Sequence, residues 1–292
     1  MRAGRGRRER EVTRLLPLPL QAFVVAALLL LVLAPVAYVF LASVNSDLAV
    51  ARGGFLPEHV DLGNYLRIWS TVDLGGGLVN SLLVAGTVAA VCALVSVGSA
   101  YVLVRFGFRG RVSILRGLLA LQSIPGTLLL LPVFVLFASA ATLLGIPVIG
   151  TRWALFLTYL TFALPFSTWV MVTYLRGLPR ELDEAARIDG ASSWRVLTRI
   201  ILPLSRPGVV VAGIFAFLLG WNDVLFASVL TNPDTRTAAV ALQVFGATQE
   251  GGAIPVYGQL MAAALVCAVP VVVLYLVFQR YLVGGLTTGG VK

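Results

Sequence analysis

Along this chain, apolar residues gather into six long blocks, roughly Leu20–Ser43, Gly77–Val104, Leu115–Ala140, Trp153–Leu175, Gly208–Leu230 and Gln259–Phe278. Each is close to the ~20 residues that a helix needs to cross the hydrocarbon of a bilayer. The pattern predicts an all-α, polytopic membrane protein with six transmembrane helices. The first block follows an Arg-rich start, as a signal peptide would. Its apolar stretch is too long for one, and Ala42-Ser43-Val44 is a poor cleavage site, so a helix is expected there. Prolines interrupt the blocks in order: Pro125 and Pro132, with Gly126 between them, in the third, Pro165 in the fourth and Pro270 in the sixth. Proline kinks a helix and frees a carbonyl, which is tolerated at membrane depth where protein or a wet cavity satisfies it. The prolines therefore mark either packing curvature or the lining of a path.

One polar stretch, Leu178–Gly208, has a helical pattern of its own. Pro179 suits a first helical turn, where its missing N–H costs nothing. Glu181, Asp183 and Glu184 follow near the positive end of the helix dipole. Leu178, Leu182, Ala185 and Ala186 share a face at helical spacing. Gly190 is a natural stop, because it can take the left-handed conformation at a helix end. Ser192 or Ser193 can cap a second helix. That helix presents Trp194, Leu197, Ile200 and Ile201 and is expected to end at Pro203. The prediction is a helix, a tight bend and a second helix.

Charge sets the direction of the spans. The chain has 292 residues, 59% hydrophobic and only 12% charged, against about 25% charged in an average soluble domain. The formal charge of +9 could suggest nucleic acid, but its placement suggests orientation in a membrane. Arginines cluster in the N-terminal tail, between the second and third blocks (Arg105, Arg109, Arg111, Arg116) and in the Leu178–Gly208 stretch. The alternate loops hold only Arg52, Arg67, Arg152 and Arg236. By the positive-inside rule both termini and the Leu178–Gly208 element lie in the cytoplasm. The expected organisation is a basic cytoplasmic tail over 1–19, a transmembrane domain over 20–279 and a cytoplasmic C-terminal tail over 280–292.

The chemistry-bearing residues exclude as much as they suggest. The only lysine is Lys292, so the chain cannot contain the lysine-bearing phosphate loop of a P-loop ATPase. A single histidine, His59, makes no metal site, and Cys92 and Cys267 sit within apolar blocks as packing residues. No Asp, Glu, His, Lys or Arg lies away from the edges of the six blocks, Asp223 near the outer end of the fifth being the only nearby candidate, which disfavours an ion-coupled secondary carrier. An integral-membrane enzyme would need a nucleophile with its base, a metal cluster or paired carboxylates, none of which the pattern offers.

Glu184-Ala185-Ala186, then Asp189-Gly190-Ala191, then Ile201-Leu202-Pro203 resembles the signature loop of the membrane permeases of bacterial ABC importers. Leu62-Gly63-Asn64-Tyr65, Asn80-Ser81, Trp221-Asn222-Asp223 and the ending from Gln279 to Lys292 resemble the carbohydrate-uptake class, in particular its maltose-type permease half with six spans. The resemblance implies a multi-pass protein of the bacterial plasma (inner) membrane. Its partners would be membrane lipid, a second permease subunit, two ATP-binding subunits and an extracytoplasmic solute-binding protein. It would bind no nucleic acid and have no cofactor or metal of its own, since ATP and Mg would sit on the partner ATPase. The 178–208 loop would form the coupling helix, with Glu184, Ala185, Ala186, Asp189, Gly190 and Ala191 at the docking surface. Trp194, Ile201 and Pro203 would brace the loop against its own bundle. The cargo implied is a di- or oligosaccharide, with glycerol phosphate the alternative. Sugar sites combine hydrogen-bonding groups with aromatic faces. Asn80, Ser81, Gln122, Ser123, Tyr159, Trp169, Trp221, Asn222 and Asp223 are the candidates for the path.

Overall fold

The computed structural model describes residues 17–57, 59–71, 73–250 and 256–287, the side chains of 247–250 and 282–287 excepted. Residues 1–16 of the expected N-terminal tail and 288–292 of the C-terminal tail lie outside it. The described chain is helical and forms two compact units. One runs to Arg67 and includes Ile254–Leu265; the other comprises Ile68–Ala253 and Val266 onward.

In the first unit, α1 (Leu18–Ser43) carries Pro35 inside it, and no residue of its most apolar window is buried. Nothing but lipid suits a surface of that kind in a spanning segment. Its last turn is closed by a side chain: Asn64 Nδ2 donates to the carbonyls of Ser43 and Asn45, at 2.9 and 2.8 Å. Helix C-terminal carbonyls have no partner within the helix, so Asn64 answers a real need. Asp61 accepts from Arg67 at 2.6 Å and from the Gly63 N–H at 2.8 Å. The Arg67 guanidinium, and after it that N–H, hold the Asp61 carboxyl below the usual carboxylate range. The Leu62–Tyr65 motif is therefore a structural clasp. A short helix α2 (Asp47–Ala51) is joined to the start of α13 (Tyr257–Thr287) by Asp47, which accepts from both the backbone N–H and Nε2 of Gln259.

Past α3 (Asn64–Thr71), the second unit is built on α4 (Leu74–Arg105). It continues through α5 (Arg111–Leu121), α6 (Gly126–Leu144), α7 (Arg152–Arg176), α8 (Glu181–Ile188), α9 (Ser193–Leu204), α10 (Arg206–Asn222), α11 (Leu225–Leu230) and α12 (Ala238–Glu250). Five helices, α1, α4, α6, α7 and α13, are long and apolar enough to cross a membrane. The 17-residue α10 qualifies together with α9, from which it is bent by 79°.

Two expected spans prove to be broken. The third, Leu115–Ala140, is α5 and α6 separated by Gln122–Pro125, because Pro125 lacks an N–H and pushes Ile124 out of helical geometry. The fifth, Gly208–Leu230, ends at Asn222; Asp223 turns extended, with φ −72° and ψ 128°, and α11 starts afresh. A thirteen-residue helix, α12, stands where a loop was expected.

The helices of this unit pack through small residues and one aromatic-aliphatic core. Val84, Val88 and Cys92 of α4 meet Leu155, Tyr159 and Ala163 of α7, with Ala216 of α10 and Phe226 and Leu230 of α11. A second cluster joins Val97, Tyr101 and Val104 of α4 to Met171, Val172 and Leu175 of α7 and reaches Ala186, Val196 and Ile201. Close approach is enforced at Gly208, where a Cβ would lie 2.8 Å from the Tyr174 ring.

Candidate functional site

The 178–208 element forms as two helices about a bend. Arg180 precedes α8, so Pro179 lies just outside the helix rather than in its first turn. Glu181, Asp183 and Glu184 occupy the first turn, Gly190 has φ +78°, and the Ala191 N–H returns to the Ala186 carbonyl. Ser192 Oγ caps α9 by accepting from the Arg195 N–H. Between Leu197 and Ile201 α9 widens, the Leu202 N–H donating to the Leu197 carbonyl. Pro203 follows directly, and the helix runs on to Leu204 instead of ending at the proline. A widened turn accommodates a residue with no N–H to give.

The expected docking residues divide. Glu184, Ala185, Asp189 and Gly190 are exposed; Ala191 is half-buried, and Ala186 turns into the core at 8% exposure. Of the residues assigned to bracing, Ile201 is fully buried. Trp194 does not brace the element, since it is 72% exposed and Val196 takes the buried place; Pro203 is exposed as well. Ile188, 86% exposed, joins Trp194 as bare apolar surface. Asp183 sits in the first turn as expected, with a partner that sequence reasoning did not supply. It is buried against Arg105, Nε to Oδ2 at 2.8 Å.

The second feature is a cavity of about 590 Å³ bounded by the break between α5 and α6 and the break between α10 and α11, with α7 as its third wall. Broken helices at membrane depth are tolerated where they line such a cavity. Of the candidate path residues, the structure brings Gln122, Tyr159, Asn222 and Asp223 to it. Gln122 Nε2 donates to the Phe162 carbonyl at 2.7 Å. Asp223 is largely committed: Oδ2 accepts from Tyr159 Oη at 2.8 Å and from the N–H groups of Phe226 and Ala227, at 3.1 and 3.0 Å, which caps α11. Asn222 is exposed. Phe162, Phe166, Phe215 and Phe226 supply aromatic faces, with Phe166 and Phe215 edge to face at 4.9 Å. These phenylalanines were missed, although Phe162 and Phe166 stand one helical turn apart in the sequence.

Asn80 and Trp221 do not line the cavity. Asn80 is 2% exposed, donates to the carbonyls of Asp234 and Arg236 and accepts from Arg152 Nε. Trp221 is buried, stacked on Phe217 and packed with Val271 and Leu274 of α13. Ser81 accepts from the Ala238 N–H. Neither Ser123 nor Trp169 is among the lining residues. Among the described residues no cluster of His, Cys, Asp or Glu could hold a metal.

With that geometry, comparison with known proteins is informative. The chain is 34% identical over 261 residues to the diacetylchitobiose uptake system permease protein NgcG of Streptomyces coelicolor, covering 89% of this chain and 84% of the relative. It is 35% identical to the trehalose/maltose transport system permease protein MalG of Thermococcus litoralis, covering 79% and 81%. A solved bacterial ABC transporter for import of the acidic polysaccharide alginate has the same fold, with a TM-score of 0.72 at 22% identity over 90% of this chain and 95% of that one. Residues 82–287, from α4 through α13, match the family as a whole. This chain belongs to the family of binding-protein-dependent transport system inner membrane components.

Proposed function

We propose that this chain is one permease half of an ABC importer that carries a neutral di- or oligosaccharide into the cell, driven by ATP hydrolysis on separate subunits. The cavity carries the reading. Its walls offer four phenylalanines, a tyrosine, a glutamine and an asparagine, the mixture that sugars use, and its one charged residue is an acid. An anionic solute such as glycerol phosphate calls for a cationic wall, and no Arg or Lys lines the cavity. The chitobiose and trehalose/maltose cargoes printed in the relatives' names support the same class.

A solute-binding protein delivers the sugar at the outer face, and a second permease completes the path. Both termini and the 178–208 element lie in the cytoplasm, where the arginine distribution puts them. There Glu184, Ala185, Asp189 and Gly190, with exposed Ile188 and Trp194, meet an ATP-binding subunit. Closure of two such subunits on ATP then moves the element, and the difference in its contacts between open and closed partners supplies the coupling free energy.

The test is uptake in proteoliposomes holding the complex co-expressed with its neighbouring transport genes. Labelled di- and oligosaccharides are presented with the binding protein outside and ATP at the cytoplasmic face. Uptake should need ATP and persist without any ion gradient, and Asn222→Ala should slow it. Uptake that collapses with the proton or sodium gradient, or that prefers a phosphorylated solute, rejects the proposal.

A further inference from the structure

We infer that Arg105 and Asp183 form a buried latch that makes α4 the rod through which movement of the docking helix α8 reaches the far end of the membrane domain. This rests on the importer reading, and it begins from a mechanical difficulty in the chain. Helix α8 has only eight residues, too few for a helix that stands alone in water. Its covalent connections are weak levers: Gly177, Leu178 and Pro179 lead in from α7, and Gly190 to Ser192 lead out to α9. A helix hung between two glycine bends can rock without moving anything.

The structure supplies a noncovalent tie. Arg105, the last residue of α4, and Asp183 of α8 are paired at 2.8 Å, with side chains 4% and 6% exposed. The same guanidinium donates through Nη2 to the carbonyls of Leu178 and Pro179, at 3.2 and 3.4 Å. The strap is reciprocal, because Arg180 Nη2 donates back to the Val104 carbonyl at 3.3 Å. That carbonyl lies in the last turn of α4, where no N–H of the helix can reach it. Tyr101, one turn earlier and 2% exposed, places its hydroxyl beside Arg187 and Asp183. Apolar residues would hold α8 with less desolvation cost; the pair is close without the alignment of a hydrogen bond, so it acts as two opposite charges in a dry site, and removing either strands the other there.

What the latch is fastened to matters equally. Helix α4 has 32 residues, about 48 Å at 1.5 Å per residue, and contains no proline. The other long helices each carry one inside: Pro35, Pro132, Pro165 and Pro270. At the opposite end of α4, Asn80 is bound to the carbonyls of Asp234 and Arg236 and to Arg152 at the start of α7. A stiff helix thus joins the docking element at one end to the 234–236 loop at the other. Helices α7 and α10, two walls of the cavity, pack along α4, so a movement of this rod reaches the cavity through them.

Two measurements test this, and they separate the latch from the importer reading. In the purified full chain, hydrogen exchange of α8 amides should rise at least tenfold in Arg105→Gln and Asp183→Asn, with α10 unchanged. Unchanged α8 exchange overturns the latch whether or not the protein is an importer. In the complete transporter, the singles should keep their ATP-binding subunits and still hydrolyse ATP, while sugar moved per ATP falls about tenfold. The swapped pair, Arg105→Asp with Asp183→Arg, should recover at least a third of the wild-type ratio. Hydrolysis and uptake falling in parallel would mean a merely structural pair and overturn the inference. If a single variant does not accumulate, Arg105→Lys is read instead. It keeps the charge but not the fork that reaches the two carbonyls, and should lower the ratio about threefold; a wild-type ratio in that variant refutes the latch.

Discussion

Gly190 lets the two demands on the docking element be pulled apart. Its φ of +78° is a left-handed conformation, and a Cβ placed there would meet no atom of this chain within 4 Å. Among the described residues, hindrance to a Cβ at 190 therefore comes from backbone strain or from a docked partner and not from the element's own packing. Strain falls on Gly190→Ala, at about 1–2 kcal/mol for an ordinary L-residue in this region. That is roughly a 5–30-fold loss of the native bend. Asn accepts the left-handed region with less strain, since its short amide bonds locally, yet it projects further from the surface. Gly190→Asn is thus bulk with little strain, and Gly190→Ala strain with little bulk. Docking at Gly190 predicts that Asn, and Asp likewise, abolish ATP-driven uptake and weaken retention of the ATP-binding subunit, while the isolated chain unfolds as wild type does. Ala should loosen the bend by the stated amount and leave partial uptake. The assays are subunit retention on purification, uptake in proteoliposomes and hydrogen exchange of residues 186–192. Wild-type uptake by Gly190→Asn beside impaired uptake by Gly190→Ala would show that only the bend matters and that Gly190 lies outside the docking face.

Asn80→Ala should act on stability and not on recognition: it strands two carbonyls and the Arg152 guanidinium, at a cost of roughly 2–4 kcal/mol. Thermal unfolding in detergent should show that loss while the KM for sugar stays put in the surviving protein, and a KM shift at wild-type stability would return Asn80 to the path. The Asp61–Arg67 clasp should loosen on acidification. The carboxyl is held below its ordinary range, so the clasp's contribution is complete above that range and disappears as pH falls through the depressed value. With Arg67 50% and Asp61 35% exposed, the contribution is at most about 1 kcal/mol. Protection of the 61–67 amides should decline below about pH 4 in the wild type and show no such step in Asp61→Asn.

The six apolar blocks were legible because twenty consecutive apolar residues have few other uses. Where the blocks break was half legible. Pro125 is visible in the sequence as an interruption, whereas the end of α10 at Asn222 depends on what Asp223 does once Phe226, Ala227 and Tyr159 surround it. Helix α12 escaped because thirteen residues, AAVALQVFGATQE, are too short for a span, and its cap at Thr237, whose hydroxyl accepts from the Val240 N–H, reads as part of a loop. In the 178–208 element, local chemistry gave the stop at Gly190 and the cap at Ser192. It did not say which polar residue goes inside. An acidic residue in a first turn reads equally well as a dipole partner in water or as half of a buried pair, and only the fold brings Arg105 to Asp183 from a distant part of the chain. Trp194 failed for the converse reason: a large apolar residue within a helix is assumed to be buried unless a partner is there to cover it.

That failure bears on mechanism. Trp194 and Ile188 are 72% and 86% exposed on an element otherwise rich in charge; Ile188 is outside every candidate span, and Trp194 lies at the start of α9, which qualifies as a span only together with α10. Two large apolar side chains are left bare on an element that also exposes Glu184 and Asp189, the mixture of apolar anchors and polar residues usual at a protein-binding surface. The buried side of the same short element is held by Asp183, Ala186 and Ile201. The element is thus divided by depth: one side grips its own bundle through an ion pair, and the other leaves apolar side chains bare for the docking proposed above. The proposed lever needs both, because force taken up at Trp194 and Ile188 would move the membrane domain only as far as the Arg105–Asp183 tie holds.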